Sequence, residues 1–310
     1  MNHWRQMLMN CDFILADGAM GTMLFEAGLE FGDSPELWNV DRPEQVRAVH
    51  RAYIQAGAQL ILTNTFGCNR FRLELHSLQD RATALNRAGA GIARAEVKAA
   101  GNRALVAGDI GPSGCILSPL GELQFDDAVI GFAEQAAGLI AGGVDLIWIE
   151  TMSDLNEVRA AIEGVRRISR EIPVITTMTF DTHGRTMMGV EPEQAVTTLL
   201  ECGVAAVGAN CGNGPEEIVD VIAKMYAVAP NAVLVAKSNA GVPSLVDGRA
   251  VYGAEPSAMA RYADAVRSAG ARIIGGCCGT TPAHLKAMAG ELGTSAHLAE
   301  RMPLKAAGSI

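Results

Sequence analysis

The sequence predicts an α/β chain folded as a single (β/α)8 barrel. Three observations carry this. Eight short apolar runs, rich in β-branched residues, alternate with eight longer amphipathic segments. The runs are apolar almost throughout, as parallel strands covered on both faces are. Four glycines (Gly57, Gly143, Gly203 and Gly270) close amphipathic segments just before the second, fourth, sixth and eighth runs. Glycine accepts the left-handed conformation that ends a helix. Eight such units in sequence fit a TIM barrel better than an open doubly wound sheet.

In chain order the expected strands are FILAD (13–17), QLILTN (59–64), ALVAGD (104–109), VDLIWIE (144–150), PVITTMTF (173–180), VAAVGAN (204–210), AVLVAK (232–237) and RIIGG (272–276). Helical patterns follow at about 43–56, 81–99, 126–141, 153–168, 191–201, 214–228, 255–269 and 281–291. Pro43, Pro192, Pro215, Pro256 and Pro282 suit first helical turns, and Ser153 or Asp154 suits the cap of the fourth helix. The expected organisation is one domain over 1–310, with a barrel core at about 12–291 and terminal extensions 1–11 and 292–310. Both extensions are expected against the barrel bottom or a second copy of the chain, which leaves room for a homo-oligomer. The second has weak patterning and reads as a frayed end.

Composition narrows the function. The 310 residues carry 34 acids against 25 bases, a formal charge of −9, with no basic block to bind nucleic acid or an anionic membrane. MNHWRQMLMN lacks the apolar core of a secretory signal, and no run approaches the roughly 18 residues of a membrane span. The expectation is a cytoplasmic protein without nucleic-acid or membrane partners. Its seven cysteines, an odd number, read as free thiols or ligands and not as a disulfide framework. DGAMG (17–21) lacks the G-x-G-x-x-G spacing of a dinucleotide loop, and GPSGC (111–115) is not a nucleophile elbow.

In a barrel of this kind, chemistry gathers where strands end. The residues delivered there are Asp17, Asn64-Thr65-Phe66, Asp109, Glu150, Thr179, Asn210-Cys211, Ser238-Asn239 and Cys277-Cys278. Cys211 ends the sixth run and Cys277-Cys278 the eighth, so one intervening strand separates them across the rim. Flanking glycines allow the adjacent pair to turn both sulfurs toward one ion. Three thiolates suit Zn2+ and leave a fourth tetrahedral position open, as catalytic sites do. The competing interpretation makes Cys211 and Cys277 small buried core residues. The six histidines end no strand and read as solvated or helix-capping. Asp17 and Glu150 also permit a two-carboxylate glycosidase, but 5% aromatic content is lean for a sugar platform and leaves the cysteines idle. Sulfur-rich zinc suits attack by a substrate thiol on a carbon bearing a cationic leaving group better than it suits hydrolysis.

At these positions the sequence resembles the homocysteine S-methyltransferase family. This is the homocysteine-binding barrel of betaine– and S-methylmethionine–homocysteine methyltransferases and of the first module of cobalamin-dependent methionine synthase. LADGAMGTML (15–24), LTNTFG (62–67), GDIGP (108–112), IETMSD (149–154), GANCG (208–212), SNAG (238–241) and GGCCGTTP (275–282) occur in the family order. The resemblance implies zinc-dependent methyl transfer to L-homocysteine to form methionine. It makes Cys211, Cys277 and Cys278 the zinc ligands, with Asn239 as a displaceable fourth ligand. It places the substrate ammonium on Asp17 and Glu150. Gly18, Thr65, Phe66 and Thr151 then surround the amino acid. Glycine betaine is the expected donor, with dimethylglycine as co-product and Trp38 as its aromatic contact. The alternatives are a sulfonium donor and a separate corrinoid protein in a split methionine synthase. A structural zinc module is the non-enzymatic alternative.

Overall fold

The computed structural model describes residues 3–246 and 249–293. Its barrel strands are β1 (Ile14–Leu15), β2 (Leu60–Leu62), β3 (Leu105–Ile110), β4 (Leu146–Met152), β5 (Val174–Met178), β6 (Ala206–Cys211), β7 (Leu234–Ser238) and β8 (Ala271–Gly276). All pair in parallel, from β1 through β8, β7, β6, β5, β4 and β3 to β2. A parallel bridge between Ala16 and Leu60 joins the ends, and the Asp17 amide donates to the Leu60 carbonyl at 2.9 Å. The sheet therefore forms a nearly closed ring, and the (β/α)8 expectation holds.

Each expected helix is present within a residue or two of its predicted limits, from Pro43–Gln55 to Pro282–Glu291. The five prolines open their helices, where a missing N–H costs nothing. Asp154 caps Leu155–Ile168 by accepting from the Asn156 amide at 2.8 Å. His284 completes a capping box with Thr281, a histidine role that the sequence allowed. The four helix-ending glycines adopt φ between 72° and 112°.

The strands bury apolar side chains on both faces. Outward residues such as Leu15, Ile61, Val106 and Ile147 meet the helices, while Leu60, Leu105, Leu146, Ile175, Val235 and Ile273 fill the interior. The helix His3–Asn10 brings Trp4 and Met7 into the interior cluster. The Arg272 guanidinium ties that helix down, donating to the Leu8 and Cys11 carbonyls at 2.8 Å each. The N-terminal extension thus packs against the barrel, one of its two expected placements. The frayed end expected at the C-terminus falls, from residue 294 onward, outside the described residues. Among the described residues no helix is long and apolar enough to cross a membrane.

His50 departs from the solvated or capping role expected of the histidines. It lies on the buried face of Pro43–Gln55, fully inaccessible, and neither ring nitrogen has a hydrogen-bond partner. Burial pushes its pKa down to about 4, against a smaller opposing pull from Glu96. The unfolded chain therefore binds a proton between pH 6.5 and 4 that the folded chain does not. Its stabilising contribution is complete above pH 6.5 and is lost as pH falls toward 4. The expected loss is about 3 kcal/mol. Urea unfolding of wild type and His50→Leu at pH 7.5 and 4.5 should show the variant losing less stability on acidification. Equal losses would remove His50 from the acid response.

Candidate active site

The three cysteines meet at the C-terminal end of the barrel. Their sulfurs lie within 4.8 Å of one another, and those of Cys211 and Cys278 are 3.8 Å apart. Local backbone makes this arrangement. Cys211 ends β6 in the left-handed region, at φ 66°, which turns its side chain off the strand's alternation. Beyond β8, the Cys277 amide donates to the Ser238 carbonyl at 2.7 Å, and the Ala240 amide donates to the Cys278 carbonyl at 2.9 Å. Asn239 joins the two cysteine loops: its Nδ2 donates to the Gly212 carbonyl at 2.8 Å, and its Oδ1 accepts from the Cys278 amide at 3.0 Å. Hydrogen bonds with Cys277 and Cys278 raise the Cys211 pKa, while those from Cys211 and Cys277 lower that of Cys278. Three sulfurs placed this way can hold a metal ion.

Beside the sulfurs lies a cavity of about 310 Å3 lined by Asp17, Asp109, Glu150, Lys237 and all three cysteines. Asp17 follows β1. Its Oδ2 accepts from the Leu62 amide at 2.8 Å, and its Oδ1 accepts from Lys237 Nζ at 3.1 Å. Burial raises the Asp17 pKa, and Lys237 opposes that rise. Burial likewise disfavours charge on Lys237, but Asp17, Glu150 and Cys277 outweigh it and raise its pKa. Its ammonium also lies 5.2 Å from the centre of the Trp148 ring, within cation–π range. Glu150 is pushed up to about 8, chiefly by burial, and burial followed by repulsion from Glu150 raises Asp109.

A register shift in β4 between Ile149 and Met152 sets the direction of Glu150. Such bulges re-aim side chains at barrel rims. Within it Thr151 takes φ 60°, an unusual state for a β-branched residue. Asn210 holds it there, accepting from the Thr151 amide at 2.8 Å and donating to Thr151 Oγ1 at 2.7 Å. Gly18 is required by closeness, because a Cβ there would lie 2.6 Å from Thr280 Oγ1 and 2.8 Å from the Tyr53 ring.

Of the residues singled out from sequence, Asp17, Gly18, Thr65, Phe66, Glu150, Thr151, Cys211, Cys277 and Cys278 all line this one cavity. Asn239 does not. It stands behind the cysteines, with both ends of its amide bonded to backbone. Trp38 also lies away from the lining. It is 6% exposed within the apolar core, with the Arg42 guanidinium 5.0 Å from its ring centre. Lys237 and Glu36 are lining residues that the sequence did not single out. For Lys237 a signal existed: a lysine closes the otherwise apolar run AVLVAK, where a strand buried on both sides has no place for an unpaired charge.

A barrel that carries three cysteines able to hold a metal ion and an acid-lined cavity where its strands end defines a class of protein. The chain belongs to the homocysteine S-methyltransferase family, whose sequence profile matches residues 14–292. It is 36% identical over 292 residues to methionine synthase of Mycobacterium tuberculosis and 35% identical to that of Mycobacterium leprae. The match takes in 89% of this chain but only 24% of either relative's length. Among solved structures, the metallated form of the homocysteine methyltransferase MmuM from Escherichia coli superposes with a TM-score of 0.78 at 25% identity. That superposition covers 93% of this chain and 99% of the other. Its oxidized form gives a TM-score of 0.79, also at 25% identity.

Proposed function

We propose that the protein is a zinc-dependent enzyme that transfers a methyl group to the thiol of L-homocysteine, giving L-methionine. The observation that carries this is the meeting of three cysteine sulfurs with a buried acidic cavity in a chain of this family. The donor set fits zinc. Tetrahedral zinc with bonds of about 2.3 Å needs sulfurs about 3.8 Å apart, and Cys211 and Cys278 stand at 3.8 Å. Zinc held there would supply a fourth position at which an incoming thiol loses its proton at neutral pH. The chain's own residues do the rest. Cys211, Cys277 and Cys278 hold the ion, and Asn239 keeps their two loops in register. Glu150 and its acidic neighbours receive the substrate ammonium, a cation that offsets the cost of their buried charge. Gly18, Thr65, Phe66 and Thr151 form the walls.

For the donor, the reading we favour is a methylated corrinoid carried by a corrinoid protein, as in cobalamin-dependent methionine synthases, over glycine betaine. A quaternary ammonium is held by aromatic faces. Among the described residues that line the cavity the one aromatic is Phe66, Tyr252 hydrogen-bonds Cys278 at the cysteine cluster, and Trp38 lies outside with Arg42 against its ring. The methionine synthase relatives point the same way. Zinc-loaded protein should be assayed with homocysteine and, in parallel, methylcobalamin, S-methylmethionine and betaine. Methionine is expected from methylcobalamin and not from betaine. Dimethylglycine formed in step with methionine would restore betaine, and turnover of S-methylmethionine alone would assign a sulfonium donor.

A further inference from the structure

Two of the three sulfurs meet a polar side chain from outside the cluster. The Asn210 amide approaches Cys277 at 3.8 Å. The Tyr252 hydroxyl hydrogen-bonds the Cys278 sulfur. Tyr252 stands outside the cavity lining, half-buried, just after the antiparallel pair Ser244–Val246 and Arg249–Val251 and before the helix Pro256–Ser268. Its place is fixed by what surrounds it. The Ala254 amide donates to the Ala240 carbonyl at 2.9 Å, and the Ala240 amide donates in turn to the Cys278 carbonyl at 2.9 Å. The Ala254 carbonyl accepts from His284 Nε2 at 2.8 Å. The aromatic ring lies against Gly279, at φ 76°, where a Cβ would overlap the ring itself. Gly279 directly follows Cys278, so the backbone that carries the sulfur also seats the tyrosine.

Methyl transfer at such a site has a selectivity problem. Four thiolates would share one zinc ion, three from the protein and one from homocysteine, and only the last should be methylated. A ligand sulfur could instead attack the methyl carbon with a lone pair and expel the leaving group. The product would be a neutral S-methyl thioether that has lost its charge and its hold on the ion. A hydrogen bond to a thiolate engages a lone pair and lowers its nucleophilicity.

We propose that Tyr252 is a positioning residue whose hydroxyl donates to the Cys278 sulfur and keeps that ligand from competing with the homocysteine sulfur for the methyl group. This rests on the zinc and homocysteine reading and deepens it. Tyr252 acts through Cys278 and touches neither substrate nor donor. Its ring rests on Gly279, so phenylalanine at this position keeps the packing and removes only the donor.

The test treats zinc-loaded wild type, Tyr252→Phe and Tyr252→Leu with methyl iodide, which stands in for the donor. Peptide mass spectrometry early in the reaction gives the methylation of Cys278 relative to Cys211 within each protein. That ratio should rise about three- to tenfold in Tyr252→Phe, and by a similar factor in Tyr252→Leu. In cobalt-substituted protein, the sulfur-to-cobalt charge-transfer band should move to longer wavelength in Tyr252→Phe, while the ligand-field bands stay as in wild type. An unchanged ratio in both variants, or a rise in Tyr252→Leu alone, overturns the role of the hydroxyl and leaves the zinc reading standing. Altered ligand-field bands in Tyr252→Phe would make the tyrosine itself a ligand and overturn the proposal. Wild-type protein that takes up neither zinc nor cobalt overturns the zinc reading, and this proposal with it.

Discussion

Replacing Lys237 by methionine is expected to lower stability by about 3–5 kcal/mol, the range found when one partner of a buried ion pair is removed. Methionine roughly preserves the volume beside Trp148, so the loss is electrostatic. Lys237 and Asp17 are 3% and 2% exposed and face each other at 3.1 Å, with Glu150 also pulling on the ammonium. Without the lysine, three buried carboxylates share a cavity with no cation. Burial already raises the Asp17 pKa, and loss of its counter-ion raises it further. A folded-state carboxyl pKa above the unfolded value withdraws stability as pH rises through the interval between them. The deficit of Lys237→Met should therefore be small near pH 4 and grow toward neutrality. Urea unfolding at matched metal content measures it. Adding Asp17→Asn to the variant should recover a large part of the loss, as expected of coupled neighbours. A deficit under 1 kcal/mol at neutral pH would mean that the pair does not organise the cavity.

Replacing Cys277 by serine should abolish stable zinc binding and, with it, methyl transfer. Changes to groups that merely support a metal ligand cost about 10–100-fold in affinity, and removal of one of three ligands should exceed that range. Cys277 is also the sulfur that the Asn210 amide approaches, at 3.8 Å. Serine therefore removes a ligand and a contact to the residue that holds Thr151. Metal analysis after dialysis against a weak chelator should give one zinc per wild-type chain and none for Cys277→Ser. Cys115→Ser is the control, since Cys115 is exposed and lies outside the three-cysteine cluster. It should retain zinc. Full zinc content in Cys277→Ser would remove that sulfur from the site.

The barrel was legible in the sequence because its signals are local. Apolar runs such as ALVAGD and prolines such as Pro192 act within a few residues, and the ring order follows from repeating the unit. The convergence of Cys211 with Cys277 and Cys278 was legible for the same reason, since strand order alone brings β6 and β8 near each other. The charge economy of the cavity was not. That Asp17 faces Lys237, 220 residues away, depends on where two side chains point across the barrel, which strand periodicity does not record. Nor does periodicity place Trp38. Aromatic residues in a long loop after a strand fit a ligand mouth or a core equally well, and here the short helix Trp38–Asp41 folds the indole into the core beneath Arg42. The left-handed turns at Thr151 and Cys211 were invisible because neither residue type favours them. The first persists because Asn210, itself in β6, bonds both the amide and the hydroxyl of Thr151.

The central claim is that three cysteines hold a zinc ion whose remaining position takes the substrate thiol. X-ray absorption at the zinc edge, recorded on zinc-loaded protein before and after addition of L-homocysteine, addresses it most directly. Three sulfurs at about 2.3 Å with one lighter ligand are expected before addition, and four sulfurs afterwards. A site that already has four sulfurs, or a count of three that homocysteine leaves unchanged, would contradict it.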